Sequence, residues 1–163
     1  MVINLPPALG EILNMCGVDW PMSNEDMLFQ IGEAWMGLPD QVGQVLSGVG
    51  EQGAKVWDEN IGEAVEAFTA WWNGEDGPAT VLSEGTIGMY LTGAGMMICA
   101  AIVLALKIAC IVQLAILAVQ IAAAIAAAAA TMGIAGAALP AIYAIGREIL
   151  MNLVQEAVMR LLM

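Results

Sequence analysis

The sequence predicts an all-α protein, an antiparallel helical hairpin or bundle that includes one long alanine-rich apolar helix. Three observations carry this. Apolar residues recur at helical spacings through residues 23–72. A proline-free tract from Ala79 to Thr131 follows, with nearly pure alanine from Ala122 to Ala130. No alternating pattern of the kind that marks a half-buried strand competes with either.

Residues 1–22 contain Pro6, Pro7, Gly10, Gly17 and Pro21. They read as an extended lead with a short helix around Ala8–Met15, docking through Leu5, Leu9, Ile12, Leu13 and Trp20. Ser23-Asn24-Glu25-Asp26 then starts a helix: a hydroxyl or amide satisfies free N–H groups, and acids in the first turn oppose the dipole. Met27, Leu28, Ile31, Ala34, Trp35 and Leu38 form its stripe. Pro39 removes a backbone donor and disfavours a helical Leu38, so a kink or short break is expected there. The stripe resumes at Val42, Val45, Val49 and Val56. Gly43, Gly48, Gly50 and Gly53 weaken this stretch by roughly 1 kcal/mol each against alanine, so it must borrow stability from packing.

Trp57 closes that stripe. Asp58-Glu59-Asn60 reads as a polar turn able to cap the next helix, whose stripe is Ile61, Ala64, Val65, Phe68, Trp71 and Trp72. Gly62 is expected to allow two backbones to approach closely. The Trp57 indole is expected to cover the end of the hairpin, with its N–H available to a turn carbonyl. Trp57 and Gly62 together read as a hairpin clasp. Residues 73–78 then break the chain. The tract from Ala79 is about 80 Å long as a single helix, unless the glycines between 85 and 95 bend or break it. Met132–Leu139 is the expected turn, and Pro140–Leu161 the closing amphipathic helix, with Glu156 and Arg160 spaced to pair. The chain thus divides into a lead (1–22), a hairpin (23–78), and a long apolar helix with its closing helix (79–163), the last two forming one module.

Charge is segregated. Of sixteen acids and four bases, fourteen acids and the single base Lys55 lie in residues 1–88. The net charge of −12 repels phosphate backbones, which excludes nucleic acid as a partner and suits solubility or a basic partner surface. The sequence has no histidine. Cys16, Cys99 and Cys110 lack metal-ligand spacing, and a Cys99–Cys110 bridge is too long for one straight helix; buried free thiols are expected. No cofactor, metal site or catalytic constellation is expected. Asp58, Glu59, Glu63 and Glu66 read as a solvated acidic face, and Asp19, Glu25 and Asp26 as turn and cap residues. The N-terminus lacks the basic start and apolar run of a signal peptide.

The order of these elements resembles the WXG-like N-terminal domains of actinobacterial polymorphic toxins, the CpnT-like type. In that family a G-x-x-W-P lead, here Gly17, Trp20 and Pro21, precedes an acid-capped helix carrying A-W, here Ala34-Trp35. A W-to-G turn follows, here Trp57 to Gly62, longer than a strict W-x-G, and then a long apolar helix. The resemblance covers roughly residues 5–160. It implies a non-catalytic export and partner-binding module of a type VII secretion substrate, secreted or at the cell surface, with any toxin activity beyond residue 163. It implies a small WXG-type helical partner or secretion chaperone. The family's usual export tag, a tyrosine followed four residues later by an acid, is missing, since Tyr90 and Tyr143 are followed there by Ala94 and Arg147, so the partner is expected to carry the tag. The residues singled out for the clasp and partner contact are Trp35, Trp57, Gly62, Phe68, Trp71 and Trp72. Residues 96–118 and 119–139 each approach the ~20 apolar residues that cross a bilayer. A resident membrane or pore-forming protein with an acidic soluble cap therefore stays open as the alternative, with membrane contact through 96–139, as does a self-assembling bundle of copies of this chain. Lys107 weighs against insertion, since a charge at mid-bilayer costs at least roughly 2.5 kcal/mol.

Overall fold

The computed structural model describes residues 2–131 and 137–163. They form five helices, α1 (Pro7–Cys16), α2 (Glu25–Glu59), α3 (Glu63–Trp72), α4 (Pro78–Ala130) and α5 (Leu139–Leu162), and no strand among the described residues. The fold is all-α, with α4 as the long apolar helix. Its 53 residues are unbroken by the glycines between 85 and 95. Most of the expected Met132–Leu139 turn lies outside the described residues.

Two local expectations fail for identifiable reasons. Pro39 does not break its helix: α2 runs as one 35-residue element with the proline inside. An interior proline costs about 3 kcal/mol. Here the ring is buried and Leu38 half-buried, so packing offsets the lost hydrogen bond. The Asp58–Asn60 segment does not cap α3. Asp58 and Glu59 end α2, and Asn60 follows it, its Nδ2 donating to the Val56 carbonyl at 3.0 Å. α3 instead starts from Gly62 without a side-chain cap, and the Val65 and Glu66 N–H groups donate to the Gly62 carbonyl.

The chain forms two compact units. The first joins Met1–Asp26 to Cys99–Met163. Its core is Leu13, Cys16 and Val18 from the lead, Cys110, Leu114, Leu117 and Ile121 from α4, and Leu150 from α5. Leu5, Leu9, Ile12 and Trp20 pack against it, as their apolar character predicts. α1 ends where Gly17 adopts φ 66°, and the Val18 N–H turns back to the Leu13 carbonyl at 3.4 Å. At Gly146 of α5, a Cβ would lie 2.7 Å from Leu117 Cδ2 and 3.3 Å from Cys16 Sγ, so α1, α4 and α5 meet at that glycine.

The second unit is Met27–Ile98. In it α2 and the first part of α4 cross in direct backbone contact. A Cβ on Gly32 would lie 2.9 Å from the Gly93 carbonyl oxygen, and one on Gly93 would lie 2.8 Å from the Gly32 oxygen. Met97 borders Gly32 and Met36 borders Gly93. Four residues forward on α2 thus correspond to four residues back on α4, which makes the pair antiparallel.

Candidate docking surfaces

Within the second unit, α2 and α3 join at residues 60–62. Helical spacing puts Phe68, Trp71 and Trp72 on adjoining parts of α3, and antiparallel pairing brings Trp57 of α2 to them. Phe68 is the hub: its ring centroid lies 6.0 Å from Trp57, 5.9 Å from Trp71 and 6.0 Å from Trp72. Trp71 and Trp72 meet edge to face at 6.3 Å. Such pairs add about 0.5–1.5 kcal/mol each beyond area burial. Gly53 is buried beneath Trp57 and Trp72, with room for no more than a contact-distance Cβ at 3.4 Å from the Trp57 ring.

Four of the six residues singled out from the sequence therefore form one cluster. Trp35 does not join it: it is half-buried on α2, 22 residues and about 33 Å of helix before Trp57. Gly62 lies at the junction, but it makes no close backbone approach. A Cβ there would meet nothing within 4 Å. The glycine is needed for its conformation, φ 133° and ψ 167°, which L side chains rarely adopt. Trp57, Asn60, Ile61, Gly62, Val65, Glu66, Thr69, Ala70 and Asn73 line an open groove at this junction. Ile61 stands at its mouth with 99% of its surface exposed, and Trp71 is 56% exposed.

A second feature lies in the first unit. Lys107, the lone charge of the apolar tract, is 1% exposed, and Glu25 is 4% exposed. Lys107 Nζ donates to Glu25 Oε2 at 2.6 Å and to the Ser23 carbonyl at 2.6 Å, while the Ile3 N–H donates to the other Glu25 oxygen at 2.6 Å. Burial pushes the Glu25 carboxyl pKa up, but the Ile3 N–H and Lys107 together overcome it and hold the group at about 2. Glu25 is thus more than the first-turn acid expected from its position: it is the counter-ion that lets a lysine stay inside. Lys107 was conspicuous in the sequence. Its partner was not, because 82 residues separate the two. Burial also raises the pKa values of the Cys16 and Cys110 thiols.

The third feature is the outer face of α4 in the first unit. Lys107, Cys110, Leu114, Leu117 and Ile121 are buried. The opposite face, Ala101, Ala105, Ile108, Val112, Ile116 and Val119, is exposed and carries no polar group. A surface helix ordinarily turns a polar face to water. The most apolar window of α4 has a mean hydropathy of 2.7, with 28% of it buried, and the helix is long enough to cross a membrane.

An all-helical chain with an antiparallel hairpin, an aromatic cluster at the hairpin end and a long apolar helix belongs with the helical-hairpin proteins. Within that class, residues 6–147 match the WXG100 like domain, and the chain belongs to that family. The family is associated with type VII secretion. No curated protein and no solved structure matches the chain.

Proposed function

We propose that this chain is the N-terminal export and partner-binding module of a type VII-secreted protein of the polymorphic-toxin, CpnT-like type, and that it works by docking, without catalysis. The observation that carries this reading is the exposed apolar face of α4, Ile108, Val112, Ile116 and Val119 at helical spacing. Contiguous apolar patches of this kind mark interaction surfaces, and a helix from a small WXG-type partner supplies the matching ridge. The absence of histidine from the sequence favours recognition over acid–base chemistry.

Co-expression with a small WXG-type helical protein, without detergent, tests the reading. The expected result is a soluble complex that stays together through gel filtration. Ile108→Asp with Val119→Asp should abolish it and leave the melting temperature of the isolated chain unchanged, because both side chains face water there. The hydropathy of α4 favours a second reading, residence in a membrane. Retention in membranes after alkaline extraction, with no partner binding, would replace the first reading with the second.

A further inference from the structure

The last turn of α2 is electrostatically mismatched. A helix C-terminus carries partial negative charge and favours cations. Here it carries Asp58 and Glu59, both exposed, and no base. The only base of the second unit, Lys55, bonds Gln52 at 3.2 Å, and neither acid is in an ion pair among the described residues. Glu63 and Glu66 have a structural reason to be where they are, since acids in the first turn of α3 oppose its dipole. Asp58 and Glu59 have the opposite effect on α2. In the chain they fall between Trp57 and Asn60, which both line the groove together with Glu66 and the fully exposed Ile61.

We propose that this groove docks an amphipathic helical segment of a partner protein, with an apolar anchor seated between Ile61, Trp57 and Val65 and with Lys or Arg side chains beside Asp58 and Glu59. The anchor would remove Ile61 from water. The cations would relieve the repulsion at the end of α2 and bond its last carbonyls. A second copy of this chain is excluded as occupant by charge, because two such ends would bring four carboxylates and two helix C-termini together. The proposal rests on the docking role proposed above and names a partner chemistry for a different surface from the face of α4.

The test uses the full chain and two fluorescent amphipathic peptides of about fifteen residues. Both carry leucines at helical spacing; one is flanked by lysines and the other by glutamates. Fluorescence anisotropy should show the lysine peptide binding at least about tenfold tighter, with the advantage shrinking as salt is raised. Ile61→Asp should abolish binding without altering the melting temperature. Asp58→Asn with Glu59→Gln should weaken binding and raise the melting temperature of the free chain, a combination that a merely structural role does not produce. Equal binding of the two peptides, indifference to Ile61→Asp, or a lower melting temperature of the Asp58→Asn, Glu59→Gln variant would overturn the proposal. So would self-association of the chain that Ile61→Asp abolishes. A WXG-type partner that binds wild type and Ile61→Asp equally leaves the α4 docking reading standing while this one falls.

Discussion

At the scale of single residues the decisive feature is the pairing of Lys107 with Glu25. An ion pair removed from water gains its attraction only after a large desolvation cost, so its net worth is small; breaking it by deleting one partner is what costs. Lys107→Met should destabilise the chain by about 3–5 kcal/mol, and so should Glu25→Gln, because each strands a buried polar group. Lys107→Met combined with Glu25→Leu should recover most of that loss in a urea titration. The pH dependence follows from Glu25. Its folded pKa of about 2 lies below its ordinary 4.5. The stabilisation is therefore complete above pH 4.5 and is lost as pH falls from 4.5 through 2. Thermal melts across that window should show the loss, and Glu25→Gln should flatten it.

Between elements, the contacts that matter are made by residues that look like defects in the sequence. Gly32 and Gly93 weaken their helices by propensity, yet they let α2 and α4 touch backbone to backbone. Gly93→Ala should destabilise by about 1–3 kcal/mol through overpacking against Met36 and the Gly32 carbonyl, where an exposed Gly→Ala in a helix would stabilise. Gly88, whose Cβ would meet nothing within 4 Å, is the control: Gly88→Ala should stabilise by roughly 1 kcal/mol in the same denaturation experiment. The hairpin junction behaves differently again. Gly62→Leu should cost stability through its backbone conformation and Trp57→Ala through the lost ring contact with Phe68. If both variants keep wild-type stability and partner binding, the junction has no part in docking.

For the molecule as a whole, the balance is between an apolar chain and a large negative charge. Sixty percent of the residues are hydrophobic, and the exposed side chains of α4 would associate if nothing kept copies apart. The charge of −12 opposes such association by mutual repulsion. Light scattering should therefore rise as pH approaches the isoelectric point of about 4.1, and at neutral pH when high salt screens the acids. A bound helical partner that covers α4 should suppress both effects.

Helical class, the long apolar element, the docking of Leu5, Leu9, Ile12 and Trp20, and the charge segregation were fixed by sequence alone, because each depends on local periodicity or on composition. The tertiary structure decided the rest. Burial, not propensity, carries α2 through Pro39. Contact across 82 residues turns Glu25 from a first-turn acid into the counter-ion of Lys107. Chain crossing turns Gly32 and Gly93 from weak points into a seam. The face of α4 that meets water is equally a tertiary outcome: with apolar residues all round the helix, no sequence pattern distinguishes the side covered by α1 and α5 from the side left bare.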